Sequence, residues 1–203
     1  MNVSVTATSP AELDTDLLLV PLARQPAAAY VDALADALGE AVRRAAQDFE
    51  GEAGERLLFY PEAARAPRAA LLGLGDPADL DAEALRRAAA AGAELAAERK
   101  VATAAFVLPE IDLDADRAVQ ALVEGFVLGA YRYREYKTED DGVRLEALHV
   151  CTREEGQGAE GARRGHATAR AACTARDLVN RSPDRKTAPL FAEAIRTSGA
   201  EHG

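Results

Sequence analysis

The chain has 203 residues, 48% of them hydrophobic and 5% aromatic with no tryptophan, so a core must be built mainly from Ala, Leu and Val. That length fits one domain with an appendage. A formal charge of -10, from 34 acidic against 24 basic residues, repels polyanions and disfavours nucleic acid and anionic membrane as main partners.

The first residues, "MNVSVTATSPAELDTDLLLV", lack the basic start and the apolar run before a small-residue cleavage site that mark a secretory leader. With only Cys151 and Cys173, the expectation is a reduced, cytoplasmic protein. The apolar runs are far shorter than the ~20 residues of a membrane helix.

"NVSVTA" alternates valine with polar residues, the period-two pattern of a strand with one wet face. "DLLLVPLA" is apolar on consecutive positions, as in a strand covered on both sides. The next segment, up to Phe49, is helical: Tyr30, Leu34, Ala37, Leu38, Ala41 and Ala45 recur at three- and four-residue steps, with Gly39 as a point of interruption. A short strand is expected at Leu57–Tyr60, closed by Pro61, and a buried one in "PRAALLGLGDP" that ends in a Gly-x-Gly turn. Asp79 or Asp81 can cap the following helix, whose apolar stripe is Leu85, Ala88, Ala89, Gly92, Leu95 and Ala96. "ATAAFVLPE" reads as a third buried strand.

A helix from about Asp114 carries Val119, Leu122, Val123, Phe126 and Ala130 on one face. Its Gly125 and Gly129 each cost about 1 kcal/mol against alanine in a helix interior, and close approach to a neighbouring backbone would explain them. "VRLEALHVCT" alternates as a last strand, "REEGQGAEG" reads as a flexible hinge, and a long helix is expected from about Ala159 to Asn180. "RSPDRKTAP" breaks it before a short helix to Thr197. Strands alternating with helices mean an α/β architecture with a partly or mostly parallel sheet. The division expected is a sheet domain over 1–153 and a helical connector over 154–203, which has no sheet of its own to pack on.

The residue patterns that carry chemistry are weak. "LLGLGD" has the strand-to-helix context of a phosphate cradle, but the third glycine of the fingerprint is Ala78, so a tight turn is the better reading. His149 and Cys151 share a strand face, and a metal would need His166 and Cys173 as well, which lie two helical turns apart, about 10 Å. "DLDAD" and "TEDDG" read as a helix start and a solvated loop. No catalytic, cofactor-binding or metal residue is expected in this chain. Arg163, Arg164, Arg170, Arg176, Arg181, Arg185 and Lys186 make the long helix and its exit locally basic; pairing with acidic surface on a partner fits the net charge better than nucleic acid does.

"EGFVLGAYRYREYK", from Glu124 to Lys137, alternates tyrosine with arginine, as a base-stacking platform would. It also resembles the segment closing the N-terminal domain of leucyl aminopeptidases, the cytosol aminopeptidase family, with matches at Glu124, Gly125, Leu128, Gly129, Tyr131, Tyr136 and Lys137 and Tyr133 in place of phenylalanine. "ARDLVNRSPDRKTAP" is similar to the family's connector, with Ala188 where proline is usual; "DFEGEAGERLLFY" and "RAALLGLGD" fit in order and spacing. The resemblance implies a macro-domain-like, three-layer α/β/α mixed sheet with a C-terminal connecting helix. It further implies a truncated chain whose catalytic domain, with two divalent metals (Zn or Mn), lies beyond Gly203, and partners in that domain and the other subunits of a homo-hexamer. Parent enzymes of this kind release N-terminal amino acids from peptides. The alternatives are a macro-like module binding a nucleotide such as ADP-ribose, or a DNA-contacting regulatory domain.

Overall fold

A computed structural model describes residues 1–136 and 144–202; "TEDDG", Lys137 and Val143 lie outside them. Six strands form one sheet: β1 (Asn2–Thr6), β2 (Leu17–Leu22), β3 (Arg56–Phe59), β4 (Ala69–Gly73), β5 (Thr103–Val107) and β6 (Ala147–Cys151), in the order β1-β6-β5-β2-β4-β3. All neighbours are parallel except β3 and β4. The helices are α1 (Ala28–Leu38), α2 (Ala41–Gln47), α3 (Ala82–Glu98), α4 (Ala115–Gly129), α5 (Ala159–Asn180) and α6 (Ala188–His202).

The apolar runs in the central strands follow from burial on both faces. Leu17 and Leu19 point to a core shared with α3, α4 and α5, whereas Leu18, Val20 and Leu22 point to a second core with α1 and α2. The result is the expected three-layer α/β/α mixed sheet. β1 is an edge, and Val3 and Val5 alone of its side chains face the first core. Pro21 lies beyond Leu17–Leu19, the stretch of β2 paired with β5, so its missing N–H breaks no ladder bond on that side.

The helix read through Gly39 is two helices. Gly39 adopts φ 98°, a left-handed conformation, and Glu62 arrives from another loop to accept the Ala41 N–H at 2.9 Å, capping α2. α3 starts at Asp81, whose Oδ1 accepts from Ala84 N at 2.8 Å, and every residue of its expected stripe is buried. α4 starts at Asp114, which accepts from Arg117 N at 3.1 Å.

Two glycine pairs explain why α4 packs so tightly on both sides. A Cβ on Gly125 would lie 2.0 Å from the Arg86 carbonyl oxygen, and one on Gly129 would lie 2.7 Å from Ala90 Cα, so α3 and α4 touch backbone to backbone. On the other flank, Cβ atoms on Gly161 and Gly165 of α5 would lie 2.0 Å from Asp116 O and 2.6 Å from Gln120 O. Across the α3–α4 seam the buried Glu124 carboxylate accepts from Arg86 at 2.9 Å and from Gln120 at 2.9 Å.

This second contact corrects the expectation for residues 154–180. The glycine-rich turn is a packed junction: Gly158 sits against Val119, and Gly161 N–H donates to Asp116 Oδ1 at 2.9 Å. The first half of α5 belongs to the sheet's outer layer, covering α4 and the β1 edge. Beyond Ala169 no residue of α5 is fully buried, nor is any described residue of α6; Val179 at the end of α5 is 74% exposed.

Candidate functional site

The tyrosine-rich exit of α4 and the end of α5 meet and hold each other. Tyr131 donates its phenol to Asp177 Oδ1 at 2.7 Å and accepts from Asn180 Nδ2 at 3.3 Å. The Arg176 guanidinium lies over the Tyr131 ring, 5.4 Å from its centre. Tyr136 donates to Ser182 Oγ at 2.9 Å and accepts the Ser182 N–H at 2.8 Å. Between them, Glu135 accepts from Tyr133 at 2.9 Å and from Arg181 at 3.0 Å. Burial and the Asp177 carboxylate push the Tyr131 phenol up, so it remains a donor well above neutral pH.

This clasp disposes of the base-stacking reading. The Tyr133 and Tyr136 rings meet edge to face with centres 5.7 Å apart, rather than lying open as parallel platforms. Several basic residues of α5 and the turn after it are similarly engaged: Arg163 with Glu160 at 2.6 Å, Arg181 with Glu135, Arg176 with Tyr131, and Lys186 with the Val179 carbonyl at 2.8 Å. The clasp therefore joins the "EGFVLGAYRYREYK" and "ARDLVNRSPDRK" segments physically. Their partnership was not apparent from sequence, because Asp177, Asn180 and Ser182 are ordinary helix-end residues until Tyr131 and Tyr136 are placed beside them.

The other motifs find structural explanations. In "LLGLGD" the amide of Gly73 donates to Glu55 O, that of Leu74 to Leu22 O and that of Gly75 to Gly51 O, each at 2.9 Å. The next side chain, Asp76, accepts from Ala78 N at 2.9 Å. A phosphate approaching this turn would find those amides already engaged. A Cβ on Gly73 would lie 1.8 Å from Glu52 O, which is why the position is glycine.

The four residues weighed as metal ligands are not brought together. Cys151 is buried in the core under α1 and α2, where burial pushes its thiol up to about 11. His149 is engaged with Ser4 at the β1 edge, 2.8 Å from Nδ1 to Oγ. Cys173 packs against the opposite core, and His166 lies on α5 near Met1. Among the described residues no three His, Cys, Asp or Glu side chains gather as ligands to one ion.

The family model for the N-terminal domain of the cytosol aminopeptidase family matches residues 18–140. The chain belongs to this family. A probable cytosol aminopeptidase of Roseiflexus castenholzii is 34% identical over 97% of the chain, and one of Syntrophotalea carbinolica is 38% identical over 84%. The chain spans 40% and 36% of those two relatives, so it corresponds to the smaller part of a cytosol aminopeptidase. Among solved structures, the bottromycin maturation enzyme BotP in complex with Mn is 29% identical with TM-score 0.71, covering 90% of this chain and 36% of that one. A tomato leucine aminopeptidase variant shares the fold at TM-score 0.83 and 19% identity, covering 99% of this chain and 42% of its own. No helix among the described residues is long and apolar enough to cross a membrane.

Proposed function

We propose that this chain is the non-catalytic N-terminal domain of a two-metal leucyl aminopeptidase, serving assembly or regulation of an enzyme that removes N-terminal residues from peptides. The observation that carries the reading is the family match over residues 18–140. In such an enzyme a pair of divalent ions, Zn or Mn, activates a water for attack on the peptide carbonyl. The ligands for those ions belong to the C-terminal catalytic domain. The part played here is mechanical: a rigid sheet layer, ending in a clasped helix, presents the α5 tail and α6 to that domain and to the other subunits of a hexamer.

The projecting tail supports this division. Val179 at the end of α5 and Leu190, Phe191 and Ile195 on α6 are all exposed, and exposed apolar residues gathered in one region mark a contact surface. The connector in this reading runs through 154–203 with its first half borrowed into the sheet domain. A macro-like fold relationship and a cytoplasmic location complete the reading.

Purified chain assayed with Mn or Zn on a leucine anilide is expected to give no turnover above the buffer blank. Co-expressed with a catalytic domain of the family, it is expected to form a complex that protects α6 from hydrogen exchange. Turnover by the chain alone would overturn the non-catalytic assignment, and failure to form any complex would overturn the assembly role.

A further inference from the structure

A cavity of about 610 Å³ opens beside the clasp, between Met1, the end of α3, the α4 exit, Arg144 and α5. Among the described residues its walls hold five arginines, Arg132, Arg134, Arg144, Arg170 and Arg181, and two carboxylates, Glu135 and Asp177. Both carboxylates are engaged in the clasp, Glu135 with Arg181 and Tyr133, Asp177 with Tyr131. Arg132 donates to the carbonyls of Gly129 and Tyr131 at 3.0 and 2.8 Å, which fixes the group without cancelling its charge. Arg144 and Arg170 are exposed and form no ion pair among the described residues.

His166 lies on the same wall. Burial pushes its imidazole below its ordinary range, and the cationic Arg170 acts in the same direction. Within a chain of net charge -10, this is a concentrated positive region. Like charges gathered in a concave site are relieved by a bound anion. Guanidinium groups match the oxygens of a phosphate in planar, paired hydrogen bonds. Ala93, Ala97, Val127 and Leu145 also line the cavity and give it apolar surface suited to an uncharged body attached to that phosphate.

We propose that this cavity binds a small phosphate-bearing molecule, gripped at the phosphate by Arg170 and Arg144 while Arg132 adds to the field. The assignment is independent of the aminopeptidase reading. Pyrophosphate titrated into the full chain calorimetrically, with chloride balancing ionic strength, is expected to bind saturably at one site. Arg170→Gln and Arg144→Gln should each weaken binding about tenfold or more, with Arg170→Lys intermediate. Arg163→Gln, which alters an exposed arginine paired with Glu160, should bind as the parent does. The His166 ring-proton signals should titrate at higher pH with pyrophosphate present, because a neighbouring anion favours the imidazolium. Equal heats from chloride, or unchanged pyrophosphate binding by the Arg170→Gln, Arg144→Gln double variant, would overturn the site.

Discussion

Gly125→Ala tests the helix packing on which the outer layer depends. In isolation, alanine in a helix interior is better than glycine by about 1 kcal/mol, so propensity alone predicts a more stable protein. The structure predicts the reverse. The added methyl would lie 2.0 Å from the Arg86 carbonyl oxygen and 2.7 Å from its carbon, both backbone atoms, and about 1.4 Å short of ordinary contact at 3.4 Å. No side chain can swing away, so α3 and α4 must separate along the seam that carries the Arg86–Glu124 pair. Overpacking costs about 1 to 3 kcal/mol, occasionally more, and the stretched ion pair adds to that. The net expectation is a loss of about 1 to 3 kcal/mol, read as a lower urea midpoint at unchanged slope. Gly199→Ala is the matched control, because a Cβ there meets nothing within 4 Å; it should be neutral or slightly stabilising. A Gly125→Ala protein as stable as the parent would show that the helices are not held this closely and would refute the packing argument.

Arg86→Met should cost about 3 kcal/mol by urea titration, because it strands the Glu124 carboxylate at 8% exposure with Gln120 as its remaining side-chain partner. Adding Glu124→Leu to that variant should recover much of the loss; no recovery would mean the cost came from Arg86 packing instead. Tyr136→Phe removes the phenol that both donates to and accepts from Ser182. It should raise hydrogen exchange at the Ser182 amide several-fold, with little change in global stability. Asp16 ties β2 to β5 by accepting from Ala102 N at 2.9 Å and Thr103 N at 2.8 Å. Burial raises its pKa, but the Thr103 and Ala102 amides and the Thr103 hydroxyl outweigh that and leave it below the usual 3.8. A depressed carboxylate stabilises above its unfolded pKa and loses that contribution as pH falls through the folded value. Asp16→Asn should therefore cost about 1 to 2 kcal/mol at neutral pH. The gap to the parent should narrow below pH ~4, as unfolding titrations at several pH values would show.

Much of the layer structure was legible because burial on two faces writes itself into β2, β4 and β5 as unbroken apolar runs, and helical stripes in α3 and α4 land on the core as spaced. Gly125 and Gly129 announced close approach, since nothing local rewards two glycines one turn apart. The same signal in Gly161, Gly165 and Ala169 of α5 was overlooked, hidden in a charged, low-hydropathy stretch that read as a connector. Sheet order was not legible, since period and polarity say which face of a strand is wet but not which strand lies beside it. The clasp was half legible: the tyrosines stood out by composition, whereas their acceptors lie 46 residues downstream, and a hydroxyl's partner is set by tertiary placement. The cationic cavity was least legible, because its arginines come from separate elements and sit among acidic neighbours in sequence.

The position of β1 at the sheet edge has a consequence for how the molecule is made. Among the described residues its five residues pair with Ala147–Cys151 alone, so this segment, once synthesised, waits for one translated some 145 residues later. Until β6 emerges, the β1 segment has no ladder to join, and until the first half of α5 follows, Val3 and Val5 lack their cover. Nascent chains halted before about residue 170 should therefore remain susceptible to protease at the β1 segment, with protection arriving in a single late step rather than accumulating strand by strand.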